Sequence, residues 1–236
     1  ARAVKSKEEL VLMQASMTVC EQACDAMQQY LAPGVTENAL WAQMHEANIR
    51  LGGEWIETRL LSSGPRTNPW FRECSMRAIE RGDLVSFDTD LIGPYGYCSD
   101  ISRSWLCGDK PNDAQRRLYG AAYEQIETNI ATLAPGRSFR DVSEDCWKIP
   151  SQYLSQRYPS LMHGVGLADE YPSIKHHVDL KDKGYDGVLS PGMVLCVESF
   201  IGVEGGREGV KLEEQVIITD DGVARMSSYP FETDWL

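Results

Sequence analysis

The tetrapeptide Leu-Ala-Pro-Gly occurs twice in this chain, at 31–34 and at 133–136, each time closing a long stretch of helical periodicity. Ahead of the first copy, Leu10, Met13, Met17, Cys20, Cys24, Met27 and Leu31 recur at alternating three- and four-residue intervals, the spacing that lines one face of a helix. Proline lacks the amide that a further turn needs, and glycine accepts the left-handed backbone that ends one, so the helix over 6–31 stops there. After each copy stands a hydroxyl, Thr36 or Ser138, placed to cap another helix; the first of these runs to about Arg50. The long helix before the second copy covers 112–132. Strand-like runs follow each time, at 54–62, 84–92 and 97–106 and then at 162–167, 192–201 and 210–219. A unit used twice predicts one α+β domain made of two related halves about a pseudo-two-fold core.

With 236 residues, 42% of them hydrophobic and 25% charged, the chain can bury one substantial core. A formal charge of −12 excludes the basic footprint that nucleic acid or an anionic membrane surface selects, which leaves small molecules and other protein chains as partners. No run is apolar for the roughly 20 residues that a bilayer requires. Seven cysteines, odd in number, scattered and without a CxxC pair, predict reduced buried thiols in the cytoplasm rather than a disulfide framework or zinc ribbon. The opening ARAVKSKEEL carries neither an initiator Met nor a targeting signal, and the chain reads as part of a longer protein.

Carboxylates avoid strand interiors, because an ionised group in a low-dielectric core is costly unless it is paired or bound to metal. Here they enter them repeatedly. In LVSFDTDLI, Asp88 and Asp90 stand two residues apart and are expected on one face of a strand. Asp100 follows on a run that can return beside the first as a hairpin. Glu198 lies within VLCVESFI and Glu213 within VKLEEQVII, whereas Glu214, its neighbour, is expected to face solvent by alternation. His163 stands in MHGVGL, followed by glycines that let the backbone crowd a site. One such residue alone is more often an edge position, a cap or a satisfied core histidine. Five carboxylates and one imidazole on separate segments instead describe an oxygen-rich site for Mn, Fe, Co or Zn, and balancing their charge takes two cations, held roughly 3.5–4 Å apart.

The order Asp, Asp, His, Glu, Glu, in the settings FDTD, GYCSD, HGVG, VES and KLEEQVIIT, resembles the pita-bread superfamily of methionine aminopeptidases, prolidases and creatinase over nearly the whole chain. That resemblance implies a curved, mostly antiparallel sheet with outer helices, 1–236 forming the catalytic domain C-terminal to a further domain, and a homodimer. The peptidases carry one accessory histidine before the first aspartate and another after the ligand histidine. Here the corresponding segments read GPRTNPWF, with Trp70, and HGVGLADEYPSI, with Asp169 and Glu170. The interval from Asp88 to Asp100 is one residue longer than is usual in the peptidases. In these departures, in the Asp-Thr-Asp pair, and in RTNPW, HGVGLADEYPSIKH, CVESFIG and EGVKLEEQV, the chain is similar to the DddP-type lyases, which cleave dimethylsulfoniopropionate (DMSP) to dimethyl sulfide and acrylate.

The second resemblance implies Asp88, Asp90, Asp100, His163, Glu198 and Glu213 as metal ligands, iron as the metal with Zn or Mn as alternatives, Asp169 as catalytic base and Tyr158 as a mobile residue beside the substrate. In the reaction so implied, the metal ions withdraw charge from the substrate carboxylate while Asp169 takes the proton from the adjacent carbon and dimethyl sulfide leaves. A sulfonium has no hydrogen-bond donor, and the aromatic faces of Trp70 and Tyr158 suit it; both rings also suit ordinary packing. Two other readings use the same residues. An Xaa-Pro dipeptidase or aminopeptidase would need the same metals and also both accessory histidines, which this chain lacks, and a metal-free binding module of this fold would have no reason to keep every ligand type.

Overall fold

In the computed structural model, which describes residues 2–108 and 110–236 and gives only the backbone of Glu170, the two halves announced by the repeat are built alike. Helix α1 (Lys7–Tyr30) begins at a capping box in which Ser6 Oγ accepts from the Glu9 amide and the Glu9 side chain accepts from the Ser6 amide. It ends at the first Leu-Ala-Pro-Gly, where Gly34 has φ +93°. Helix α2 (Glu37–Arg50) starts at Thr36, whose hydroxyl accepts from the Ala39 amide. In the second half α3 (Asp113–Ala131) is capped by Asn112, Gly136 has φ +84°, and Ser138 caps α4 (Phe139–Asp145).

The connections after the repeats share their hydrogen bonds. The Gly34 amide donates to Ile79 O and the Ile79 amide to Val35 O; in the second half the Gly136 amide donates to Leu189 O and the Leu189 amide to Arg137 O. Thr36 bridges Ala78 as Ser138 bridges Val188. Equal backbone pairing at equal positions is what a duplicated unit requires.

The strands are β1 (Trp55–Ile56), β2 (Leu61–Ser63), β3 (Leu84–Asp88), β4 (Leu91–Ile92), β5 (Cys98–Ser99), β6 (Ser102–Leu106), β7 (Met162–Val165), β8 (Asp169–Ile174), β9 (Val194–Gly202), β10 (Gly209–Ile218) and β11 (Val223–Arg225). The large sheet has the order β2-β3-β6-β10-β9-β7-β8, with β11 paired to β10, and every pairing is antiparallel. Reading outward from the β6–β10 seam, β6, β3 and β2 of one half match β10, β9 and β7 of the other, which is the pseudo-two-fold arrangement. One apolar cluster lies between the sheet and α3, built on Tyr119, Ile126, Leu195, Leu212 and Val216; a second joins α1 and α2 to β2, β3 and β6 through Met17, Met44, Leu61, Phe87 and Trp105.

Three expectations are corrected. The run 84–92 is two strands, because Asp90 takes φ +36° and breaks the ladder, so Asp88 and Asp90 do not share a face of one continuous strand. The returning run breaks opposite it at Asp100 and Ile101, and Thr89 stitches the gap: its hydroxyl donates to Ser99 O at 3.0 Å and accepts from the Ile101 amide at 2.9 Å. Asp169 stands at the start of β8, a strand at the sheet edge where Pro172 costs no ladder bond. Glu214 is buried rather than solvent-facing, since Arg103 and the C-terminal segment cover that side of the sheet, and Arg103 Nη2 meets its Oε2 at 3.0 Å.

Candidate metal centre

Register across the seam puts the acidic side chains in a row. Asp88 on β3 is paired with Ser102 on β6, Ser102 with Glu213 on β10, and Glu213 with Glu198 on β9. One strand further, His163 on β7 is paired with Cys196, two residues from Glu198 and on its face of β9. A slip of one residue in any of these pairings would send a ligand to the opposite face. Behind the row, Arg103 holds the register: its guanidinium donates to Glu213 O at 2.6 Å and Tyr229 O at 2.7 Å, and lies 4.0 Å from the centroid of the Phe231 ring.

The groups converge closely. His163 Nε2 is 3.2 Å from Glu198 Oε1, 3.4 Å from Glu213 Oε1 and 3.8 Å from Asp100 Oδ2. The Asp90 amide donates to Asp100 Oδ1 at 3.2 Å, and Asp90 Oδ2 accepts from the Thr58 hydroxyl at 2.6 Å. Donor atoms of Asp100, His163, Cys196 and Glu213 lie within 4.8 Å of one another, and so do those of Asp90, Asp100 and Asp169. The two groups share Asp100. Asp169 Oδ1 is 3.7 Å from His163 Nδ1 and its side chain is 43% exposed, whereas Asp88, Asp100, Glu198 and Glu213 are closed to solvent. Asp88 stands outside both groups, its Oδ1 accepting from Ser102 Oγ at 2.7 Å and its Oδ2 3.2 Å from Lys211 Nζ.

So much buried negative charge suppresses its own ionisation. Burial, with the neighbouring carboxylates adding to it, pushes Asp88 and Asp100 well above the usual carboxylate range; burial takes Asp90 to about 7 and raises Glu198 as well. Burial opposes ionisation of Glu213 too, but the ammonium of Lys211 and the imidazole of His163 overcome it and hold this carboxyl low. For His163 burial is outweighed by the two glutamates, which raise its pKa. Glu213 Oε1 is buried and receives no hydrogen bond. A buried acceptor without a donor, among carboxylates that resist ionising side by side, fits a cation: these oxygens and the imidazole suit divalent metal.

The aromatic candidates lie beside the row. Trp70 is buried, stacked at 6.0 Å on Phe200, and Tyr158 meets Phe71 at 5.3 Å. Lys211 Nζ is 4.7 Å from the centroid of the Tyr158 ring and 5.9 Å from that of Trp70, so these faces already hold a cation that belongs to the protein. Burial and the nearby carboxylates raise the Tyr158 phenol far above its ordinary range. The His176 Nε2 lies 3.0 Å from Tyr158 O, and burial lowers that imidazole to about 4.

Sequence reasoning missed Lys211, Cys196 and Ser102. The first two carried a usable signal, since each stands two residues before an acidic residue of the same strand and therefore on its face.

The model of metallopeptidase family M24 matches residues 11–220. The chain belongs to this family. Among curated proteins similar to this chain, the dimethylsulfoniopropionate lyase DddP of Roseovarius nubinhibens is 46% identical over 98% of this chain, and the Xaa-Pro dipeptidase of Pyrococcus furiosus is 29% identical over 96% of it. The chain spans 53% of the first of these and 63% of the second, about half or a little more of their length. A solved structure, the Xaa-Pro dipeptidase from Bacillus anthracis, superposes with a TM-score of 0.86 at 25% identity, covering 98% of this chain and 63% of that one. The M24 fold found here is thus the pita-bread fold that the sequence resembles.

Proposed function

We propose that this chain is the catalytic domain of a metal-dependent DMSP lyase, cleaving DMSP to dimethyl sulfide and acrylate by base-promoted β-elimination. The observation that carries the reading is the 46% identity to a DMSP lyase across nearly the whole chain, against 29% to a dipeptidase. The residues support it in detail. Asp100, His163, Glu198 and Glu213, with Asp90 and Asp88 beside them, would hold two divalent ions, iron by resemblance. Bound there, the ions supply Lewis acidity toward the substrate carboxylate.

Asp169 is the exposed carboxylate at the edge of the cluster and takes the proton from the carbon next to that carboxylate. The electron pair so released forms the double bond of acrylate as the carbon–sulfur bond breaks, and dimethyl sulfide departs neutral. Tyr158 and Trp70, each with one face turned to Lys211, would have to offer the other face to the sulfonium, a contact worth about 0.5–2 kcal/mol. Among the described residues no helix is long and apolar enough to cross a membrane. Action in the cytoplasm, as a homodimer on a small zwitterionic substrate, completes the reading.

The test offers the iron-reconstituted full-length protein DMSP and, separately, a panel of Xaa-Pro dipeptides. Metal-dependent dimethyl sulfide formation with intact dipeptides is the expected result. Dipeptide cleavage without dimethyl sulfide would replace the lyase by a peptidase.

A further inference from the structure

We infer that Lys211 is a positioning residue of the metal centre: a built-in third cation that decides which oxygens of Glu198 and Glu213 face the metal cavity and keeps the carboxylates assembled when the metals are absent.

The geometry is specific. Lys211 is completely buried on β10, and its Nζ lies 2.6 Å from Glu198 Oε2, 3.0 Å from Glu213 Oε2, 3.2 Å from Asp88 Oδ2 and 2.7 Å from Ser102 Oγ. The opposite oxygen of each glutamate, Oε1, is the one that approaches His163 Nε2, at 3.2 and 3.4 Å. Each carboxylate is therefore divided, one oxygen for the ammonium and one for the histidine side of the centre. An ammonium has three donors, and these neighbours use them all, so Lys211 has none left for a substrate.

Its carbon stem rises from the same strand face as Glu213, two residues away, which fixes the ammonium at the level of the carboxylate row. Tyr158 closes the remaining side with the face of its ring. Charge makes the same point. Six carboxylates surround the centre, those of Asp88, Asp90, Asp100, Asp169, Glu198 and Glu213, against which two divalent ions and one ammonium bring five positive charges. Without the ammonium, a metal-free centre would hold its acidic side chains together with no cation at all, unless His163 were protonated.

The inference rests on the metal-centre part of the proposed function and is independent of the substrate. It predicts opposite effects on the metal-free protein and on metal binding. In full-length protein stripped with chelator, K211M should melt well below wild type, and K211R, which keeps the charge, should recover most of the loss. Titrated calorimetrically with Mn(II), K211M should bind more tightly by roughly tenfold or more, because a fixed like charge has been removed from beside the ions. Its melting temperature should accordingly rise further on Mn(II) addition than that of wild type.

Unchanged metal-free stability together with wild-type Mn(II) affinity in K211M would overturn the inference, as would K211M and K211R losing stability alike, which would make the residue a packing element. Wild-type protein that takes up no Mn(II) would remove the metal centre itself and this inference with it. Full Mn(II) uptake without dimethyl sulfide production would leave Lys211's role standing and strike only the lyase.

Discussion

Glu37 is the residue on which the approach to the centre depends structurally, and replacing it by alanine should be among the most damaging changes away from the metal ligands. It occupies the first position of α2, is fully buried, and gathers the 63–75 segment that carries Trp70 and Phe71 toward the site. Its Oε1 accepts from the Ser63 amide and hydroxyl, both at 2.8 Å; its Oε2 accepts from the Ser75 amide at 3.0 Å and hydroxyl at 2.6 Å, and pairs with the Arg66 guanidinium. In E37A the two hydroxyls can turn to other acceptors and Arg66, a quarter exposed, can reach water, but two backbone amides lose their acceptor. At about 1–3 kcal/mol for each of the two orphaned donors, with Arg66 recovering its partner in water, the loss should be about 2–6 kcal/mol. For a chain of this length that is a fall on the order of 10 °C in melting temperature. Differential scanning calorimetry reads the stability, and the KM for substrate reads the placement of the aromatic segment, which should weaken with it. A melting temperature within about 2 °C of wild type and an unaltered KM would refute the reasoning.

His163 supplies the one imidazole of the cluster, so H163A should lose one of two bound ions by plasma mass spectrometry while remaining folded; full metal content would contradict its assignment as a ligand. The metal-free protein should lose stability as pH rises. Asp90, at about 7, and the raised Asp88 and Asp100 favour the fold most when protonated in both states, below about pH 4, and that contribution is lost as pH rises through the folded pKa. Melting curves of chelated protein from about pH 5 to 8 should fall, and Mn(II), which replaces those protons, should flatten the slope; parallel curves with and without metal would count against a shared site. His176, neutral in the fold at about 4, acts in the other direction: its contribution is complete above its unfolded value of 6.5 and is lost as pH falls toward 4, so H176F should diminish the acid lability of the Tyr158 segment, followed by tyrosine fluorescence.

Much of the architecture was legible because its signals are local. A capping serine, a periodic apolar face and a proline-glycine stop act within a few residues, and the second copy of the same device announced the second half before any pairing was known. The ligand types were legible for a similar reason: Glu198 and Glu213 stand among apolar residues where an unpartnered carboxylate would be too costly. Register was not legible, because the row Asp88, Ser102, Glu213, Glu198 is assembled from strands of both halves. Nor was the break at Asp90, where a non-glycine residue takes a left-handed conformation to bring its amide to Asp100. Glu214 was misassigned by alternation, which separates the two faces of a strand but does not say whether the second face meets water. Here it meets Arg103. Lys211 escaped notice because a strand lysine near acidic residues is ordinarily solvated, although its place two residues before Glu213 put it on that residue's face; the fold shows it with no solvent at all.

The most direct test of the account is headspace analysis of dimethyl sulfide from iron-reconstituted full-length wild type and D169N incubated with DMSP, with metal content measured on the same samples. The account predicts abundant dimethyl sulfide from wild type and a loss of about 10² to 10⁴-fold in D169N at undiminished metal content, the contribution expected of a positioned base. Dimethyl sulfide at wild-type rates from D169N, or none from a fully metallated wild type, would contradict it.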